Sequence, residues 1–354
     1  MKLRDILIIV LVVLVAFAAW ATFFNGSDSL ANVAPKENAS IAVTGDTMFA
    51  RNMPGVLSMD SSPFNGVSDV TSNVDLLLIN FENAATSSGN AVKGDVPLKC
   101  DPSYVPLAKA NNNTIAALAN NHAFDYGIDG MRDTVDNLKS AGITPIGAGN
   151  NEAEAHQAVV QEINGRKVTV LNYMDSNNFA EYSNEVMPQA NGSNPGYSAY
   201  NSADAQKQIG ENNDSDLIVA YLHFGNEYSN SPNDDQVKIA HELIDYGADV
   251  VIGSHPHVTQ GIEMYNGKPI FYSLGNFIFD QSNTATHSAY FVKIDMVDNK
   301  AVCTVYPIYI SNYLPQHMSA EDGTALLQGL SPQCDQMEIT GNGTGQLTFN
   351  LTDS

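Results

Sequence analysis

Val250-Val251-Ile252-Gly253-Ser254-His255-Pro256-His257-Val258 is the stretch on which the reading of this chain turns. Its β-branched opening is that of a short buried strand, and Gly253 offers a place for the backbone to turn sharply at the strand's end. Sites in open α/β sheets lie at that carboxyl end. His255 and His257 follow, with Pro256 stiffening the spacer so that both imidazoles can lean into one crevice. Two neutral imidazoles with carboxylates from elsewhere suit a metal ion of intermediate hardness. A lone His-x-His is most often an ordinary loop pair, so the reading depends on how the other strands end.

They end alike. The run 40–44 leads into Gly45-Asp46, the run 75–79 into Asn80-Phe81-Glu82, and the run 114–118 into Asn120-Asn121-His122. The run 216–222 ends at His223. A polar residue after one strand is usually a turn former or a helix cap. Five successive strand ends of this chemistry are not expected of an ordinary soluble domain. A dinuclear site needs a bridging carboxylate and several terminal nitrogen and oxygen ligands. Asp46 or Glu82 can bridge, while Asn121, His223, His255 and His257 can fill terminal positions. His122 differs, because Asp125 three residues on can take its ring N–H and hold it as an imidazolium. That makes His122 a candidate general acid. His156, His241, His287 and His317 lack such surroundings and read as surface or core residues.

Between these runs, helical spacing predicts helices over 103–111, 128–141, 202–211 and 233–247. The Asn-, Ser-, Gly- and Pro-rich segment 175–200 reads as a long loop and a candidate lid. After the central stretch come alternating runs at 262–265, 269–274, 289–297 and 301–310, expected as antiparallel strands, with Asn266-Gly267 as a tight hairpin turn. An acidic helix near 320–329 and a closing hairpin, 337–340 with 345–351, complete the chain. Strands alternating with helices, then a mostly antiparallel half, predict sheets packed face to face with helices outside.

Residues 6–24 carry no charge and follow Lys2 and Arg4, so the run spans a bilayer with its positive end inside. A cleaved signal peptide is the competing reading, since Ala16-Phe17-Ala18 and Ala19-Trp20-Ala21 are small-x-small sites. Either way the folded part lies outside the cytoplasm. The expected organisation is an anchor or signal at 1–24, a linker at 25–39, one α/β domain at 40–313 and an extension at 314–354 packed on it. A formal charge of −23, with only 16 Lys and Arg, excludes nucleic acid as a partner. Three scattered cysteines make no disulfide framework, and Cys303–Cys334 is the one bridge to consider.

Together the motifs resemble the bacterial capsule-synthesis family (CapA, poly-γ-glutamate synthesis), which is similar to calcineurin-like metallophosphoesterases. The matching segments are Gly45-Asp46-Thr47-Met48 with Arg51, Asn80-Phe81-Glu82, and Ala119-Asn120-Asn121-His122 with Asp125-Tyr126-Gly127. His223-Phe224-Gly225-Asn226-Glu227-Tyr228, Gly253-Ser254-His255-Pro256-His257-Val258 and Ser273-Leu274-Gly275-Asn276-Phe277 follow in order. The resemblance implies an α/β fold, a four-layer sandwich of two mixed sheets flanked by helices. It also implies two divalent ions (Mn, Fe, Zn or Co), with Asn121 a ligand and His122 the acid. Arg51 would hold an anionic group, and Glu227 and Asn276 would support the ligands from behind. Implied partners are the membrane, polyglutamate synthase or transport subunits, and an anionic polymer or phosphoester substrate. Two departures stand out: the usual Asp-x-His reads Asp46-Thr47-Met48, and Glu82 replaces the Gly-Asp bridging carboxylate. Phe224, where the family usually has Trp, would alter the pocket wall. An intact His122–Asp125 pair favours a phosphoester hydrolase, whereas the missing imidazole favours a non-catalytic subunit that binds the polymer. A peptidase-like hydrolase acting on the polymer is a third reading.

Overall fold

The computed structural model describes residues 36–351, apart from 180, 181, 184, 332 and 333. The proposed anchor at 1–24 and most of the linker lie outside the described residues. Among those described, no helix is long and apolar enough to cross a membrane.

The run Leu76–Phe81 shows how the layers arise. Leu76 and Leu78 face one apolar cluster, while Leu77 and Ile79 face another, because alternate residues of a strand point to opposite sides. A strand buried on both faces therefore needs an unbroken apolar run. It is an inner strand of a ten-stranded mixed sheet, with Ala39–Thr47 on one side and Thr114–Ala117 on the other, all parallel. Ile143–Ile146 closes that edge. On the far side of Ala39–Thr47 the sheet turns antiparallel through Ser288–Val297, Lys300–Ser311 and Gly345–Asn350.

A six-stranded sheet lies against it, in the order Ile262–Tyr265, Lys268–Phe271, Val250–Ser254, Leu217–His223, Arg166–Met174 and Val159–Ile163. Val250 and Ile252 join Ile41, Val43 and Leu78 in the cluster between the sheets. Val251, on the opposite face, packs with Ile209 of the Ser202–Glu211 helix and Leu243 of the Asp234–Tyr246 helix. The Gly127–Ser140 helix covers the outer face of the larger sheet through Met131 and Leu138. The result is the four-layer α/β sandwich expected. Fully burying each such aliphatic side chain contributes roughly 1.5–3 kcal/mol.

Several local expectations change. The run 103–111 forms a 3-10 turn, Pro102–Ala108, because Pro106 inside it has no N–H for an α-helical bond. The four late strands form two hairpins in different sheets, and Lys268–Phe271 runs parallel to Val250–Ser254. The Asn266-Gly267 turn is as read, with φ of 49° and 77°. Gly253 lies inside its strand rather than past it. Its missing side chain makes room for the Tyr272 carbonyl, which an added Cβ would approach to 2.2 Å. Cys303 and Cys334 are free buried thiols, as is Cys100, so the considered bridge is not made.

Candidate metal centre

The parallel strands of both sheets bring their carboxyl ends to one place, and Tyr221 Oη donates to the Thr44 carbonyl at 2.9 Å just beneath it. Asp46 and Glu82 come from the larger sheet, and His223, His255 and His257 from the smaller. All five are buried. Two groups of three can converge on an ion: Asp46, Glu82 and His257, and Glu82, His223 and His255. Glu82 belongs to both. Its Oε1 lies 4.0 Å from His223 Nε2 and 3.9 Å from His257 Nε2, and it has no hydrogen-bond partner among the described residues. His255 Nδ1 is likewise buried and unpartnered. Leaving such groups bare is costly, and a cation is what this donor set of carboxylates and imidazoles would satisfy. The residues therefore fit a divalent transition metal.

The outer contacts aim these ligands. Asn121 Oδ1 is 3.0 Å from His223 Nε2. Asn276 Oδ1 accepts from His257 Nδ1 at 2.9 Å, and the same nitrogen is 3.1 Å from Asp46 Oδ2. With acceptors on Nδ1, the ring presents Nε2 to the cleft. Asn80, noted in the sequence only as part of a motif, donates to Asp46 at 2.8 Å and to Glu82 at 3.2 Å. The backbone around the ligands is unusual as well. His255 and His257 have φ of 100° and 59°, and Arg51 and Tyr228 are also left-handed. Non-glycine residues in that region cost of order 1–3 kcal/mol each and gather at functional sites.

A cleft of about 480 Å³ opens over the ligands, lined by His122, His255, His257, Arg51, Glu227 and Tyr228 among others. A larger groove, about 820 Å³, runs beside the Ile143–Ile146 edge and holds none of the ligand residues. His122 Nδ1 lies 2.7 Å from Asp125 Oδ2, which also accepts from the Leu98 N–H at 2.6 Å. Arg51 is paired with Asp280 and stands over the Phe279 ring, so its charge is already partly matched. From the long loop, Phe179 packs edge-on to His255, with ring centroids 4.9 Å apart.

Residues 40–281 match the family described as "Bacterial capsule synthesis protein PGA_cap". The chain belongs to that family. It is 32% identical over 329 residues to "Capsule biosynthesis protein CapA" of Bacillus anthracis, spanning 89% of this chain and 77% of that one. It is 33% identical over 265 residues to "PGA biosynthesis protein CapA" of Bacillus subtilis (strain 168), spanning 73% of this chain and 68% of that one. Among solved structures, a hypothetical protein from Thermus thermophilus aligns at 13% identity and a TM-score of 0.44, over 88% of this chain and 100% of that one.

Within this capsule-synthesis chain, the departures from the phosphoesterase pattern have physical consequences. Met48, in place of an imidazole, is wholly buried in the apolar cluster beside the larger sheet, and its sulfur accepts the Ala50 N–H. Phe224 is core rather than pocket wall: it packs in the cluster beneath the helices and against Gly253. Burial pushes the Glu82 carboxyl well above its usual value, and the neighbouring Asp46 charge adds to that. Burial pushes Asp46 the same way, but the hydrogen bond and charge of His257 outweigh it, so its pKa falls. Burial drives the His255 imidazole down to about 3, and His223 lower than usual as well. Burial also lowers His122, against the pull of Asp125. Sequence reasoning missed Lys93 and Asp280, which sit in irregular segments with no periodicity to place them.

Proposed function

We propose that this chain is a membrane-anchored, extracytoplasmic hydrolase of capsule or poly-γ-glutamate synthesis or export, acting on a phosphoester or related bond. The observation that carries this reading is the bare, buried Glu82 Oε1 set between two imidazoles beside a cleft that also holds His122. Asp46, Glu82 and His257 would hold one divalent ion, and Glu82, His223 and His255, with Asn121, a second. Ions of this class polarise a phosphoryl oxygen and lower the pKa of water. The protein's own residues do the rest. Asp125 fixes the His122 ring through Nδ1 and turns Nε2 toward the cleft; with the ring protonated on both nitrogens, Nε2 would pass its proton to the leaving oxygen and the ring would return to its neutral form. Arg51 meets the anionic end of the substrate at the cleft mouth.

Met48 favours a second reading, a non-catalytic metal-containing subunit that binds or guides an anionic polymer within a membrane synthase complex. Metal analysis of the purified chain, combined with a panel of phosphoester substrates, separates the two. Bound transition metal with turnover on at least one phosphoester supports the hydrolase. Bound metal with no turnover across the panel supports the subunit, and a folded protein that retains no metal after reconstitution sinks both.

A further inference from the structure

Lys93 comes from an irregular stretch, yet its side chain is only 4% exposed. The surrounding loop is strapped to the turn that carries His122: the Val92 N–H donates to the Asp125 carbonyl at 2.8 Å and the Leu98 N–H to the Asp125 carboxylate. This brings the Lys93 ammonium to the wall of the metal cleft. There it donates to the Asn121 carbonyl at 3.1 Å and lies 5.3 Å from the centre of the Tyr182 ring. Asp125 Oδ1 is 3.8 Å away, beyond hydrogen-bond length, and its other oxygen is engaged by His122.

An ammonium has three donors, and burying its charge is costly unless it is matched. The Asp125 carboxylate offsets the charge at 3.8 Å without a hydrogen bond, and one carbonyl and an aromatic face leave donor directions of the ammonium unfilled. The chain as a whole carries a charge of −23, so a soluble anion is repelled unless a built cation meets it. Arg51, the other cation of the cleft, is hydrogen-bonded directly to its carboxylate, Asp280, whereas Lys93 makes no hydrogen bond to Asp125. The charge of Lys93 is also felt by Glu82, His122, His223 and His255, in each case behind burial and nearer charged groups. We propose that Lys93 is an anion-binding residue of this cleft, pairing with an oxyanion of the substrate, phosphate or carboxylate, beside the group that His122 attends. The inference rests on the cleft being the substrate site, and does not require hydrolysis.

The test uses the full chain in detergent, loaded with Mn²⁺, and calorimetric titration with two probes, inorganic phosphate and glutarate. Lys93→Gln keeps an N–H for the Asn121 carbonyl but has no charge, while Lys93→Arg keeps the charge. Lys93→Gln is expected to weaken at least one probe tenfold or more with Mn²⁺ content unchanged, and Lys93→Arg to stay within about threefold of wild type. Loss confined to phosphate identifies a phosphoryl group as the partner, and loss confined to glutarate a carboxylate. Unchanged binding of both probes by Lys93→Gln, or no binding of either by wild type, overturns the assignment. Should Lys93→Gln not fold, the wild type labelled with ¹⁵N-lysine decides: the Lys93 side-chain signal, absent in Lys93→Arg, shifts on adding saturating probe, and its failure to move overturns the proposal. Binding through Lys93 without cleavage of any phosphoester would refute hydrolysis and leave this assignment standing.

Discussion

Asn121 Oδ1 and His223 Nε2 lie 3.0 Å apart, although 102 residues separate them in the chain. One follows the Thr114–Ala117 strand of the larger sheet, and the other ends the Leu217–His223 strand of the smaller. The contact joins the two sheets at their carboxyl ends. Any change in how the sheets pack is therefore felt directly by the prospective ligands.

Glu82→Gln should remove a ligand from both ion positions at once, so bound metal by elemental analysis should fall below half of wild type in a folded protein. The metal-free proteins should differ in the opposite sense. The folded-state pKa of Glu82 is raised, so its contribution to stability is fully present below its usual value of 4.5 and is lost as pH climbs through the raised pKa. Chemical denaturation of the metal-free pair should show wild type losing ground to Glu82→Gln from pH 4.5 toward neutrality, by up to about 1.4 kcal/mol per pH unit. Parallel curves would count against an ionising Glu82.

Asn276→Leu should leave the fold intact and weaken metal binding about 10- to 100-fold, the usual scale for losing a partner that orients a ligand histidine. Its carbonyl oxygen holds His257 Nδ1, and its amide is itself fixed by Gln281 at 2.9 Å. Competition with a chelator measures the change, and an affinity equal to wild type would remove Asn276 from the support of the site.

His122→Ala should keep its metal and lose turnover by about 10²–10⁴, the scale for a positioned proton donor. The deficit should shrink for substrates with good leaving groups, which need no proton. Equal loss on good and poor leaving groups, read from kcat, would rule out a proton-donating role.

Gly45→Ala should destabilise the protein by about 3 kcal/mol, because the new Cβ would meet the Gly275 carbonyl oxygen at 1.9 Å and push the Asp46 strand off its neighbour. Gly267→Ala, at a φ of +77° with nothing within 4 Å, should cost only about 1 kcal/mol of backbone strain. Urea unfolding of the two variants gives the comparison, and equal losses would contradict the close approach at Gly45.

The strand ends were legible in the residues alone. Asp46, Glu82, Asn121, His223, His255 and His257 each follow an apolar run, and a run buried on both faces has few other ways to fold. The family resemblance, carried by the same motifs, agrees with the match over residues 40–281. Which of these groups meet was not legible there, since that depends on how two separate sheets align in the fold. The fold made Glu82 common to both ligand groups, set Asn80 between Asp46 and Glu82, and tied Arg51 to Asp280. It also moved Gly253 from turn to close contact, and left the left-handed backbone to His255 and His257 instead. Lys93 was illegible for the same reason: an irregular loop has no period, and its direction is set by the long-range hydrogen bonds that hold it against Asp125.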